Sequence, residues 1–195
     1  MMVELTALET NKTWSLVKLP PGKPIVGCRW VYKVKYKADG TLERYKARLV
    51  AQGFTQTEGV DFFETFSPVA KLTTVRFLLL IVVSNNWFLH QLDVDNAFLH
   101  GELKEEVYMR PPPGMTISDP SLVCKLKKSL YGLKQASRQW NQKLNSALLA
   151  LGYIQSSADH SLFIKKEKSS FTALLVYVDD IVLTGNSLAE INKFK

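Results

Sequence analysis

The segment Leu174–Gly185, LLVYVDDIVLTG, contains the feature that decides the fold: a run of apolar, β-prone residues interrupted once, by Asp179 and Asp180. Adjacent carboxylates repel each other, and burying either one without a partner is costly. A tight turn between two buried strands accounts for the pattern and leaves two interpretations open. The pair is either an ordinary solvent-facing turn, since Asp is common in turns, or a divalent-cation site in which the ion cancels the repulsion.

A second acidic position follows another apolar strand, at Asp93 in QLDVDNAF. Two strands packed side by side would bring Asp93 against Asp179 and Asp180. Three carboxylates would form an oxygen-rich site suited to Mg²⁺, which is commonly bound by a few carboxylates together with substrate phosphates. Two such ions can clamp the attacking and leaving oxygens of an in-line phosphoryl displacement. The alternative for Asp93 is a strand-end residue that caps the following turn.

Strand-type alternation on both sides of Asp39-Gly40 predicts a β-hairpin between residues 25 and 54. Period-two spacing gives this hairpin a basic face and an aromatic face. The basic face carries Lys33, Lys35, Lys37, Arg44, Lys46 and Arg48, and the aromatic face carries Trp30, Tyr32, Val34, Tyr36, Tyr45, Ala47 and Leu49. A surface that binds a polyanion and a strand pair kept soluble by its lysines both fit this pattern.

The remaining segments alternate between helix and strand patterns. KLTTVRFLLLIVVSNN predicts a helix that begins near Thr73 or Thr74 and is buried on most sides, and SRQWNQKLNSALLALGY predicts an amphipathic helix capped by Gly152. SLFIKK and FTALLVYV predict a hairpin, and SLAEINKFK predicts the start of a last helix. Residues 1–24 are expected to form a lead-in that ends in a Pro-Pro-Gly turn. The fold class predicted from this order is α+β with mostly antiparallel strands.

The composition indicates a globular protein without a membrane-spanning segment. The 195 residues are 46% hydrophobic, which suits a globular chain with a real core, and the net charge of +7 is a weak indication of a polyanionic partner. Cys28 and Cys124 lack zinc-site or CxxC spacing, so we expect two reduced thiols. The N-terminus lacks a signal-peptide pattern, and Phe77–Val83 is too short to span a bilayer. We therefore expect a soluble intracellular protein, cytoplasmic or nuclear, without a membrane partner.

Four motifs, in order along the chain, resemble the reverse transcriptase of copia-type (Ty1/copia) LTR retrotransposons. RWVYKVKYKADGTLERYKARLVAQGFTQTEGVDFFETFSPVAKLTTVRFLLL resembles its fingers region, and QLDVDNAFLHGELKEEVYMRPPPG its first palm motif. SLYGLKQASRQW resembles its template-gripping motif, and YVDDIVLTG its Tyr-X-Asp-Asp motif. The resemblance extends from about Leu8 to the last residue, and four long motifs in sequence are far more specific than the last one alone.

The resemblance implies an RNA-directed DNA polymerase that adds deoxynucleotides to a primer with two Mg²⁺ ions. Its partners would be an RNA or DNA template-primer and deoxynucleoside triphosphates. Residues 25–88 would be the fingers, and residues 89–195 the palm, an antiparallel sheet with packed helices and a finger insertion near 101–130. The chain is expected to be truncated after the YVDD hairpin, with the thumb missing. Such a truncation would leave an open sheet edge, which favours aggregation.

The resemblance also assigns roles to individual residues. Asp93 and Asp179 would be the principal metal ligands, with Asp180 a weaker third ligand and the Val94 carbonyl completing one shell. Phe98 would lie under the incoming sugar and exclude a 2′-hydroxyl.

Other roles concern the nucleotide and the nucleic acid. Lys46 or Arg48 would contact the triphosphate, Arg48 being preferred because it heads the RLV segment. Gly132, Lys134 and Gln135 would line the template and nucleotide pocket, and Tyr177 would lie near the primer end.

Two other functions remain open at this stage. The chain could be a catalytically inactive nucleic-acid-binding remnant of a retrotransposon that keeps the basic hairpin, or a structural fragment without binding activity. Each assigned residue also has an ordinary alternative: Phe98 as a core aromatic, Lys46 and Arg48 as solvated cations, and Gln135 as a polar residue at a helix start.

Overall fold

The computed structural model describes residues 1–195 and confirms an α+β architecture. The helices are α1 (Met2–Thr10), α2 (Leu72–Asn85), α3 (Ala136–Ala150) and α4 (Leu188–Phe194), with short 3₁₀ helices at Gly53–Thr55 and Ala97–His100. The strands are β1 (Trp14–Lys18), β2 (Ile25–Val26), β3 (Cys28–Tyr36), β4 (Leu42–Ala51), β5 (Phe88–Asp93), β6 (Tyr108–Met109), β7 (Leu122–Leu126), β8 (Ile154–Gln155), β9 (Leu162–Glu167), β10 (Ser170–Tyr177) and β11 (Asp180–Gly185).

The chain divides into two compact units. Unit 1 contains residues 1–65 and 98–140, and unit 2 contains residues 66–97 and 141–195. Each unit is assembled from two separate stretches of sequence. The fingers and palm boundaries inferred from the sequence remain predictions.

Unit 1 is built on a four-stranded sheet of order β1-β7-β6-β2 and a separate two-stranded hairpin, β3–β4. Strands β2 and β6 are parallel, and the other pairs are antiparallel. Residues 1–24 are more structured than the sequence suggested, because α1 buries Leu5 and Leu8 in the core of this unit and β1 pairs with β7. The alternation in these residues is too short to distinguish an edge strand from a loop.

The hairpin predicted around Asp39-Gly40 is confirmed. Its register pairs Trp30 with Leu49, Lys33 with Lys46 and Val34 with Tyr45, so the basic and aromatic sets lie on opposite faces as expected. At its base, Leu49 and Ala51 are buried and the Trp30 indole N–H donates to the Pro113 carbonyl at 2.8 Å.

Unit 2 is built on a five-stranded antiparallel sheet of order β5-β11-β10-β9-β8. One face of the sheet packs through Leu174, Ile181 and Leu183 against Leu148 and α4. The other face packs through Ala173 and Leu175 against Leu78 of α2. Strand β11, which begins at Asp180, lies between β5 and β10. Both faces of this strand are covered, which explains the apolar sequence that follows Asp180.

Helix α2 forms as predicted, but the expectation that it is buried on most sides is wrong. Only Leu78 and Val82 are buried, while Phe77, Leu80 and Val83 are each more than 60% exposed. An apolar composition indicates that a helix can be buried but not how much of its surface is covered. In α2 the covered surface is limited to the line of Leu78 and Val82.

The start of α2 also differs from the prediction. The N-cap residue is Lys71, and no side chain of the segment itself caps the helix. The cap comes instead from Asp159, whose carboxylate accepts hydrogen bonds from the Lys71 backbone N–H (3.1 Å) and the Thr74 hydroxyl (2.6 Å).

The other predicted elements are present. Gly152 ends α3 with a φ of +85°, the β9–β10 hairpin turns at Lys168, and Ser187 caps α4 by accepting the Glu190 N–H. Leu151 lies beyond the end of α3 and is exposed, unlike Trp140 and Leu148. None of the helices combines the length and the apolar character needed to cross a membrane.

Candidate active site

The acidic residues singled out in the sequence meet at one end of the unit 2 sheet. Asp180, the first residue of β11, lies directly opposite Asp93, the last residue of β5. Tyr177, the last residue of β10, lies opposite Asp180 on its other side. Residues directly opposite each other point to the same face of a sheet, so Tyr177, Asp180 and Asp93 form one row across three strands.

Asp179 is placed beside this row by the turn between β10 and β11. Its backbone carbonyl accepts the Val94 N–H at 2.9 Å, which ties the turn to the residue that follows β5. The turn contains only Val178 and Asp179, and Val178 has a φ of +57°. A β-branched residue rarely adopts this conformation, so the turn holds backbone strain beside the carboxylates.

The carboxylates differ in their surroundings. Asp93 is exposed, whereas Asp179 and Asp180 are half-buried. Asp180 Oδ1 accepts a hydrogen bond from the Gln91 amide at 3.1 Å. No three acidic, histidine or cysteine side chains converge as a ready-made metal cage. Neighbouring carboxylates repel, which favours side chains that spread apart from a shared point.

A second group of predicted residues meets in unit 1, around Tyr131. The Arg48 guanidinium carbon lies 4.6 Å from the centre of the Tyr131 ring, and the Phe98 ring packs edge-on against the same tyrosine at 4.8 Å. The Arg48 Nε is buried and has no hydrogen-bond partner. The cation–π contact with Tyr131 holds Arg48 in place. Arg48 forms no salt bridge with a carboxylate, so its guanidinium can bind an anion.

Lys46 is held less firmly than Arg48. It lies opposite Lys33 on the basic face of the hairpin. Both cations act on Glu4 of α1: burial raises the pKa of Glu4 above its usual value, and the charges of Lys46 and Arg48 offset only part of this rise. A carboxylate on α1 therefore already lies in the field of the two cations, which marks this part of the hairpin as attractive to anions.

Gly132 marks a close approach between backbones. Its φ is +90°, and a Cβ at this position would lie 2.1 Å from the Ala51 carbonyl oxygen. The adjacent Tyr131 carbonyl accepts the Ala51 N–H at 2.7 Å. Only glycine fits here, and the contact fixes the segment that carries Tyr131 against the end of β4.

Gln135 is fully buried, and its amide group is already engaged. Its Oε1 accepts from the Gln56 amide at 3.1 Å, and its Nε2 donates to the Asp61 carbonyl at 3.2 Å. Gln56 Oε1 in turn accepts the Lys134 backbone N–H at 2.9 Å. Both polar atoms of the buried Gln135 amide are therefore hydrogen-bonded within the protein, whereas the Lys134 side chain is exposed.

The sequence did not point to three residues that hold the candidate site together: Tyr131, Gln56 and Asp61. Tyr131 stands in the SLYGL segment next to Gly132, and the Arg48 it stacks on is 83 positions earlier. Gln56 and Asp61 carry no local signal, because their role is visible only when residues 74 to 79 positions apart are brought together.

Comparison with known proteins places this geometry in context. The model of the family described as reverse transcriptase (RNA-dependent DNA polymerase) matches residues 11–195. The chain is 52% identical to the retrovirus-related Pol polyprotein from transposon RE1 of Arabidopsis thaliana over 94% of its length, which is 13% of that relative. The corresponding protein from transposon RE2 of the same plant is 51% identical, again over 94% of this chain and 13% of the relative.

The retrovirus-related Pol polyprotein from transposon TNT 1-94 of Nicotiana tabacum is 45% identical over the whole chain, which is 15% of that relative. The chain therefore spans about one seventh of the length of these relatives.

Proposed function

Because the chain belongs to the reverse transcriptase (RNA-dependent DNA polymerase) family, we propose that it carries the nucleotidyl-transfer site of an RNA-directed DNA polymerase. The observation that carries the proposal is the pairing of Asp93 with Asp180 across two strands, with Asp179 beside them. The sequence spacing between these acids is 86 and 87 residues, so no local structural need accounts for their meeting.

The carboxylates fit divalent cations by the chemistry of their oxygens. Asp93 and Asp179 would be the principal ligands, with Asp180 and the Val94 carbonyl supplementing them, and Mg²⁺ is the ion such donors suit. Two bound ions would activate the primer hydroxyl and neutralise charge on the phosphates. The protein's own contribution is positioning, because the β10–β11 turn and the end of β5 hold the carboxylates at a sheet end.

Tyr177 lies in the same row as two of these acids and is 54% exposed. An exposed ring beside the carboxylates suits contact with the sugar or base at the primer end. We therefore assign Tyr177 to primer positioning and not to the chemical step.

The Arg48–Tyr131–Phe98 cluster is proposed as the nucleotide pocket. Arg48 would bind the triphosphate through its guanidinium fork, which suits phosphate oxygens, and Phe98 would contact the sugar. Gly132 and Lys134 would contact the template. Gln135 is proposed as a positioning residue that holds Gln56 and the Lys134 backbone, because its own amide is already bonded.

The two units are proposed to correspond to known parts of such polymerases. Unit 1, with the basic hairpin and the nucleotide pocket, would be the fingers, and unit 2, with the carboxylates, the palm. Template-primer and deoxynucleoside triphosphates would be the partners, drawn in part by the seven basic residues of the hairpin against two acidic ones.

Arg48→Ala is expected to weaken binding of a deoxynucleoside triphosphate about tenfold or more, and Lys46→Ala two- to threefold. The reason is that Tyr131 holds Arg48 in place, whereas Lys46 pays more conformational entropy on binding. Fluorescence anisotropy of a labelled triphosphate measures both affinities, and Lys18→Ala, on β1, is the control. Equal losses for Lys46 and Arg48 would contradict the assignment.

The function is tested by incorporation of a single deoxynucleotide on a primed RNA template with Mg²⁺, comparing the chain with Asp179→Asn. We expect slow, template-directed incorporation by the wild type and none by the variant. Asp119→Asn, an acid outside the site, is the control.

Equal inactivity of wild type and Asp179→Asn, with RNA binding retained, would favour the second candidate, a nucleic-acid-binding remnant that keeps the basic hairpin. Incorporation that persists undiminished in Asp179→Asn would refute the assignment of the site.

A further inference from the structure

The aromatic face of the β3–β4 hairpin carries three exposed tyrosines that none of the roles above uses. Tyr32, Tyr36 and Tyr45 are 66%, 63% and 76% exposed. Among their hydroxyls, that of Tyr32 contacts the Met1 sulfur at 3.6 Å. Exposed aromatic rings on one face of a strand pair are uncommon, because burying such rings is favourable.

The rings are regularly spaced. Tyr45 lies opposite Val34, midway between Tyr32 and Tyr36 on the neighbouring strand. At ~3.3 Å per residue, Tyr45 is about 7 Å along the hairpin from each of the other two tyrosines. Val34, opposite Tyr45, and Leu42, opposite Tyr36, lie on the same face and are also exposed. The face is therefore a row of separated rings with room for a flat group at each.

Charge distinguishes this face from an ordinary apolar patch. The hairpin has seven basic and two acidic residues, and the three tyrosine side chains are mostly exposed. The lysines and arginines lie on the reverse face of the same two strands, and at 0.1 M salt the field of such charges extends about one Debye length, roughly 10 Å. Long lysine side chains can also reach around a two-stranded ribbon. The rings thus stand in a positive field.

We propose that this aromatic face binds single-stranded nucleic acid, with successive bases stacked on Tyr32, Tyr45 and Tyr36 and the phosphates attracted by the surrounding lysines and arginines. Aromatic platforms in a positive field are the usual means of holding single strands without reading their sequence. A duplex keeps its bases stacked on one another, so it cannot use the rings. The inference rests on the proposed function only in taking nucleic acid as the partner, and the site is separate from the carboxylates.

The first test measures binding of 12-nucleotide oligo(U) and oligo(dT), without Mg²⁺ or triphosphates, by Tyr32→Thr/Tyr36→Thr/Tyr45→Thr. Threonine keeps the strand preference and removes the rings. We expect at least a tenfold loss of affinity for both oligonucleotides, with an unchanged slope of log K against log salt. Binding of a blunt duplex should not change. The triple Tyr→Phe variant should bind within threefold of wild type, and Phe54→Thr, an exposed aromatic outside the hairpin, should bind normally.

The second test does not depend on any variant folding. Oligo(U) carrying 5-iodouracil is photo-crosslinked to the wild-type chain, and the adducts are mapped by mass spectrometry. We expect adducts on Tyr32, Tyr36 or Tyr45. Adducts only elsewhere, or wild-type affinity in the Thr variant, would overturn the proposal. If the Thr variant binds the oligonucleotides normally but sediments as a smaller species than wild type, the proposal is also overturned. The aromatic face would then bind a second copy of the chain. Absence of polymerase activity would leave these readouts unaffected.

Discussion

Asp93→Asn is expected to lower the affinity of the chain for Mn²⁺ about tenfold or more and, in the presence of EDTA, to raise its melting temperature by roughly 1–3 °C. The two effects have one cause. Asp93 and Asp180 are directly opposite on adjacent strands, and like charges in this arrangement destabilise a sheet. The same two charges attract a divalent cation when one is present.

Opposite signs of the two effects make the prediction specific. If Asp93 served only to support the sheet, its replacement would lower the melting temperature of the chain both in EDTA and in Mn²⁺. Mn²⁺ should also raise the melting temperature of the wild type more than that of the variant, because only binding to the folded state stabilises it.

Electron paramagnetic resonance of free Mn²⁺ gives the affinity, and calorimetry gives the melting temperature. Asp95→Asn is the matched control, since it is an exposed acid two residues further along and outside the row of carboxylates. If Asp95→Asn weakens Mn²⁺ binding as much as Asp93→Asn does, the binding is diffuse and the assigned ligand set is incorrect.

Asp159→Ala is expected to lower the free energy of unfolding by about 3–5 kcal/mol at pH 7, the largest stability effect we anticipate for a single polar residue in this chain. Asp159 is only 5% exposed. Its carboxylate accepts hydrogen bonds from the N–H and hydroxyl of Ser161, from the Lys71 N–H and from the Thr74 hydroxyl. Removing it leaves these donors unpaired and α2 without its cap.

The stability should also depend on pH in a defined window. Burial alone would raise the pKa of Asp159, but the hydrogen bonds from Ser161, Thr74 and Lys71 outweigh burial and lower this pKa from 3.8 to about 2. A carboxyl group whose pKa is lower in the folded state stabilises the fold above its unfolded pKa. That contribution, about 2 kcal/mol, is lost as the pH falls from about 4 to about 2.

Urea unfolding at pH 7, 5, 4, 3 and 2 measures both effects. Asp159→Asn should remove the pH-dependent part between pH 4 and 2 while keeping some of the hydrogen bonds. Asp119→Ala is the matched control, because Asp119 also bonds the backbone of a serine two residues later but contacts no helix. A loss for Asp119→Ala equal to that for Asp159→Ala would mean that the local turn, and not the cap of α2, carries the effect.

The features that could be predicted from the sequence are those set by local pattern. Alternation around Asp39-Gly40 predicted the hairpin and its two faces, and the apolar runs on either side of the Asp pair predicted β10 and β11. The sequence also placed Asp93 at the end of an apolar strand, but whether that strand lies beside the Asp pair is set by the sheet register.

Other features depend on partners that are distant along the chain. The hydrogen bonds of Gln135 to Gln56 and to the Asp61 carbonyl join residues 79 and 74 positions apart, so no local pattern could predict them. The apolar sequence of α2 predicted burial, but the sheet covers only the line of Leu78 and Val82. A pattern of residue types specifies what a segment can pack against and not how much of it is covered.

By itself the sequence determined the β3–β4, β9–β10 and β10–β11 hairpins and the strand-end positions of the carboxylates, because dihedral preferences and periodicity act over a few residues. The tertiary structure alone decided that Asp159 caps a helix 88 positions away while Asp119, in a similar Asp-X-Ser turn, does not. It also decided that Tyr131 fixes Arg48 and that Asp180 faces Asp93. Such contacts arise from the register of strands and the burial of polar groups, both of which are set by the whole packed chain.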